Sequence, residues 1–173
     1  MIGTFVQLGQ KKRAEEALNF FMHDRRPPAW NQWAEVVWRD PRTPKFIGDM
    51  PHTWVGSDFI RSVLSMFIME REKDDAHVLC AGIPDRWVLD SAGVKAHELQ
   101  TYYGYVSYTI HATGKTVFVD VTGKFDVRQH KLVLKSPLLA PLRGVKVNGA
   151  EVPRPGTGEI LLKKLPVRVE LSY

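Results

Sequence analysis

The segment PPAWNQWAEVVWRDPRTPKFIGDMPHTW gathers Trp30, Trp33, Trp38 and Trp54 with Glu35, Asp40, Asp49 and His52. These are four of the chain's five tryptophans. Indoles beside carboxylates suit carbohydrate, because the C–H faces of a sugar ring stack on aromatic surfaces while its hydroxyls bond to carboxylates and amides. A carboxylate such as Glu35 could also act as a general base, activating water for glycoside cleavage. The same residues have a plainer reading, in which the indoles anchor a long loop to a core and Glu35 and Asp40 face solvent.

Each residue of this group divides in the same way. Asp49 is either a ligand group or a helix N-cap whose carboxylate accepts backbone N–H bonds. His52 either binds a hydroxyl or moves a proton, or else it satisfies a neighbour. Arg25, Arg26 and Arg39 either clamp an anion or stand exposed. Elsewhere the chemistry is thinner. His77, His97, His111 and His130 have no metal-site spacing, so neither a metal nor another cofactor is expected. Ser57 and Ser107 lack a nucleophile elbow, and the glycines form turns rather than a phosphate loop. Tyr102, Tyr103, Tyr105 and Tyr108 fall in one strand region, as a sugar platform or as interior packing with hydroxyls at the rim. The single cysteine, Cys80, excludes an internal disulfide and reads as a small buried hydrophobe in HVLCAGI.

The elements that must position these residues change character near residue 75. Before it, Ala14, Ala17, Leu18 and Phe21 share one helical face. A long connection follows, broken by Pro27, Pro28, Pro41 and Pro44. A second helix is then expected from about Pro51, with Val55, Phe59, Ile60, Val63, Leu64, Phe67 and Ile68 as its apolar stripe. After residue 75 the period is two. AHVLCAGI, RWVLD, YYGYVSYTIHA, KTVFVDVTG, KLVLKSP, GVKVNGA, GEILLKKL and VRVELSY read as strands separated by turns. The expected fold is α+β, with a helical segment over 1–75 and an antiparallel β-sandwich over 76–173.

Composition narrows the function classes. The 173 residues are 44% hydrophobic and 25% charged, as in ordinary globular chains. The net charge of +5 falls wholly after residue 75, scattered at Lys115, Lys124, Arg128, Lys131 and Lys135 rather than clustered. Nucleic acid is therefore not an expected partner. No segment approaches membrane-spanning length, MIGTFVQLGQKKR carries no leader pattern, and the compartment stays open.

Pro51-His52-Thr53-Trp54-Val55-Gly56-Ser57 resembles, in its His and its Gly-Ser spacing, a motif of six-hairpin (α/α)6-barrel glycosidases, the bacterial α-L-rhamnosidase type. That motif, Asn-His-aromatic/small-x-Gly-Ser, opens the family's last barrel helix; here Pro replaces Asn. Trp33-Ala34-Glu35 is similar, with one residue intervening, to the Trp-Glu loop that carries the family's base. GIPDRWV, YYGYVSY and LPVRVELSY resemble pieces of its C-terminal accessory domain. The resemblance implies a glycoside-hydrolase-like C-terminal portion, in which a helical hairpin from an α/α toroid precedes the sandwich. Glu35 would be the base and His52 a catalytic partner, with Trp30, Trp33, Trp38, Asp49 and Trp54 binding carbohydrate. The remaining barrel would lie upstream, and the chain alone would be inactive. A non-catalytic carbohydrate-binding or structural accessory module is the alternative, and self-association through uncovered helical faces a further possibility.

Overall fold

The computed structural model describes residues 1–25, 28–38, 40 and 48–173. Arg26, Arg39, Pro27, Pro41 and Pro44, considered above, lie outside the described residues. The fold is α+β, with N-terminal helices followed by two antiparallel-rich sheets. Contacts divide the chain into two units, Met1–Leu64 and Ser65–Tyr173.

Among the described residues the first unit holds three α-helices where two were expected: α1 (Ile2–Gln7), α2 (Lys11–His23) and most of α3 (Thr53–Phe67). α1 packs on α2, and Ile2, Val6, Ala14, Ala17 and Leu18 are buried. Spacings of three and four put Ala14, Ala17 and Leu18 on one side of α2, as their pattern requires. Gly9, at φ +69°, makes the left-handed turn that separates α1 from α2. The connection to α3 contains a 3-10 turn at Pro28–Trp30. α3 starts at Thr53, so Pro51 stands outside its first turn.

The second unit begins inside what reads as helix. The apolar stripe runs through Ile68, yet α3 stops at Phe67 and Ile68–Arg71 is strand β1. β1, β2 (Ala76–Leu79), β6 (Lys131–Lys135) and β9 (Glu159–Leu162) form one sheet in the order β1-β2-β6-β9. The other has six strands in the order β3-β4-β5-β10-β7-β8. These are β3 (Val94–Thr101), β4 (Gly104–Thr113), β5 (Thr116–Gly123), β7 (Gly144–Val147), β8 (Ala150–Val152) and β10 (Val167–Ser172). Val117, Val119 and Val121 on β5 are buried and alternate with half-buried Phe118 and Asp120, as period two demands. They join Leu132, Leu134, Ile160 and Leu162 from the smaller sheet in one apolar core. Two sheets sharing a core make a sandwich.

Two expectations about this unit are corrected. RWVLD is not a strand; Asp85–Leu89 is the short helix α4, which sends Val88 into the core. The sheets are not wholly antiparallel, because β2 and β6 run parallel, with Ala76 opposite Lys131.

The end of α3 is tied to both sheets. Gly82 N–H donates to the Met66 carbonyl and Cys80 N–H to the Phe67 carbonyl, each at 3.0 Å. These donors satisfy helix-end carbonyls that have no partner within the helix. The Tyr108 hydroxyl on β4 donates to the same Phe67 carbonyl at 3.0 Å. Burial pushes the Tyr108 phenol well above its ordinary pKa, so it stays protonated and able to donate. Tyr108→Phe should therefore cost about 0.5–1.5 kcal/mol of unfolding free energy, read from urea denaturation. An unchanged midpoint would show that this bond contributes nothing.

Candidate functional site

Two of the segments singled out by residue type are joined by the backbone. Glu35 N–H donates to the Asp49 carbonyl at 3.2 Å, and Gly48 N–H to the Val36 carbonyl at 2.7 Å. This short ladder sets the Trp-Ala-Glu stretch directly beside the approach to α3. There the Asp49 carboxylate meets the His52 ring at 3.1 Å from Oδ2 to Nδ1. Asp49 therefore holds His52, the residue just before the helix, by its side chain. Trp54, in the first turn of α3, stacks on His52, with the two rings 6.4 Å apart and 20° from parallel. Glu35 and Asp49 are exposed and His52 is partly covered. The backbone thus brings the segment of an exposed acid beside one that carries an acid–imidazole pair and an indole.

The indoles divide into two kinds. Trp30 is 57% exposed, Trp38 54% and Trp54 73%. The anchoring reading accounts for less of these three indoles, each more than half open to solvent. It holds for Trp33. Its ring lies on Phe59 with centroids 4.3 Å apart, its Nε1–H donates to the Phe21 carbonyl at 3.1 Å, and the Arg25 guanidinium stands 6.0 Å from its centre. Trp33 also lines a cavity of about 220 Å³ with Phe21, Val55, Asp58, Phe59 and Ser62. Glu35, His52 and the three open indoles do not border that cavity. Arg25 is occupied locally, since its Nε donates to the Met22 carbonyl at 3.0 Å.

The tyrosine row does not form a platform. Tyr102 lies between β3 and β4, 92% exposed, whereas Tyr108 is buried in the core. Tyr103 instead joins a cluster that the sequence does not announce, because its members lie far apart along the chain. The His77 side chain is 5% exposed, and its two ring nitrogens have no hydrogen-bond partner among the described residues. Tyr103 and Phe125 meet its ring edge-on at 5.4 and 5.1 Å. Glu70 Oε1 lies 3.7 Å from Nε2, beyond hydrogen-bond reach. His130 stacks on Tyr103 at 3.3 Å and pairs with Asp75 at 3.2 Å. Among the described residues no group of three or more His, Cys, Asp or Glu is placed to hold a metal ion. Nor is any helix among them long and apolar enough to cross a membrane.

The fold defines an α+β chain of helices and sandwich. A scan against protein-family models, a search of curated proteins and a search of solved structures each return no match.

The state of His77 has a consequence for stability. Burial holds its imidazole below the ordinary value of 6.5; Glu70 and Asp75 pull upward, while His130 adds to the depression. The folded unit then binds fewer protons than the unfolded chain wherever pH lies between the two values. The stability this group contributes is fully present above 6.5 and is lost as pH falls below it. The urea midpoint should drop between about pH 7.5 and about pH 5, and His77→Leu should shrink that drop. An equal drop in the variant would assign the acid sensitivity to other groups.

Proposed function

We propose that residues 28–58 form a carbohydrate-recognition surface within a glycoside-hydrolase-like protein, and that the chain alone binds sugar without cleaving it. The observation that supports this reading is the backbone bond from Glu35 to Asp49, which brings the segment of an exposed glutamate beside the one that carries the Asp49–His52 pair, next to the exposed indole of Trp54. A sugar ring would stack on Trp54, with Trp30 and Trp38 offering further apolar faces. Its hydroxyls would donate to Glu35 and Asp49, and His52 would bond through its remaining ring nitrogen. Glu35 has the chemistry of a base. Glycoside cleavage also needs a second carboxyl group across the scissile bond and walls that hold the sugar between them. Asp49 is engaged by His52, and Trp30, Trp38 and Trp54 stand outside the cavity that Trp33 lines.

Further helices would supply those walls. Leu8, Phe20, Met22, Ile60 and Leu64 are exposed apolar positions in the helical unit, suited to being covered by more helices of a barrel or by a second copy of this chain. The sandwich would then serve as the accessory part.

Calorimetry or glycan-array binding with the isolated chain should detect a neutral oligosaccharide ligand. Trp54→Ala should weaken that binding roughly tenfold, the loss expected for removing one well-placed aromatic contact. Aryl glycosides should remain uncleaved. Flat titrations across a broad panel would reject carbohydrate recognition, and cleavage abolished by Glu35→Gln would replace it with catalysis by the chain itself.

A further inference from the structure

The sandwich carries a second site, independent of the tryptophan surface. Two cavities meet at Lys163 and Lys164, which line both. The first, of about 420 Å³, is bordered also by Lys124, Asp126 and Arg128. The second, of about 450 Å³, is walled by Val147, Val152, Pro153, Pro155, Leu161 and Val167. It falls at the open edge of the sandwich, where β8 and β9 are the outer strands of their sheets.

The charge around these cavities is not balanced. Two carboxylates border them, and each is already used. Glu159 is held by the Arg71 guanidinium through bonds of 2.7 and 3.1 Å. Asp126 accepts the Arg128 amide N–H at 3.1 Å, and the Arg128 guanidinium lies 3.5 Å away. Lys124, Lys163 and Lys164 make no ion pair among the described residues. An uncompensated set of ammonium groups at one end of an apolar trough selects a ligand with both characters. A bare anion would leave the trough empty, and a neutral apolar molecule would leave the lysines unused. The volume lies within the ordinary range for small-molecule sites.

We propose that this groove binds a single-chain anionic amphiphile. Its head sits among Lys124, Lys163 and Lys164, and its acyl chain runs along Val152, Pro155 and Leu161. Burial of each methylene should tighten binding roughly three- to fourfold until the trough is filled. Added salt should weaken binding by screening the head.

The test is calorimetric titration of the full chain with octanoate, decanoate and dodecanoate below their aggregation thresholds, beside dodecyltrimethylammonium, acetate and inorganic phosphate. The proposal expects affinity to climb along the carboxylate series and the cationic amphiphile to bind at least tenfold more weakly than dodecanoate. Lys163→Glu with Lys164→Glu should cost tenfold or more for every member of the series. Leu161→Asp, at an exposed wall position, should flatten the dependence on chain length, with circular dichroism confirming that both variants fold. Equal binding of the cationic and anionic chains, competition by acetate or phosphate as effective as dodecanoate, or no loss in the folded lysine variant would each overturn it. Binding to lipid vesicles alone, with none to the monomeric amphiphile, would also overturn it.

Discussion

The carbonyl of Phe67 is the point on which the sheet unit turns. It closes a helix, opens a strand, and receives one donor from the end of β2 and another from β4. Because β2 belongs to the smaller sheet and β4 to the larger, a single backbone oxygen fixes the start of β1 against both layers. Without such donors the last carbonyls of α3 would be buried unpaired beside the core, at a cost comparable to a lost hydrogen bond each. The register of β1 on β2, Ile68 opposite Leu79, continues directly from this tie. The rest of the smaller sheet is then built outward through β6 and β9.

How far the sequence could be read follows from which forces are local. Strand alternation such as Val117–Phe118–Val119–Asp120–Val121 is a local pattern, and it survives unchanged in the sandwich. So does the buried face of α2. The misread elements are those decided by distant partners. Ile68 continues a helical stripe in the sequence, but β2 supplies a ladder and ends the helix one residue earlier. RWVLD has β-forming residues, yet the chain must turn after Pro84 and place Val88 in the core, and one short helix does both. The parallel pairing of β2 with β6 has no local mark at all.

The candidate sites show the same division. Residue type selected Glu35, Asp49, His52 and the tryptophans, and the backbone ladder joins residues 35 and 36 to residues 48 and 49. It could not separate Trp33, packed on Phe59, from Trp30, Trp38 and Trp54, which stand open; that depends on what each ring finds nearby. Lys124 and Arg128 looked like scattered surplus charge because they lie almost forty residues from Lys163 and Lys164 along the chain. The fold gathers them, since the connection after β5 and the turn after β9 border one cavity. The lysine pair in LLKKLP was the available signal, and it acquires meaning only with its neighbours across the fold.

The side-by-side alignment of Ala76 with Lys131 also constrains the order in which the molecule can assemble. The intervening chain contains β3, β4 and β5, an antiparallel meander with short connections that needs only nearby partners. Closing a long unstructured segment to join β2 and β6 loses more chain entropy than joining them after that segment has condensed. The β2–β6 pairing is thus favoured after the meander has condensed. Sequence-distant pairing of this kind places the sandwich among the slower-folding topologies.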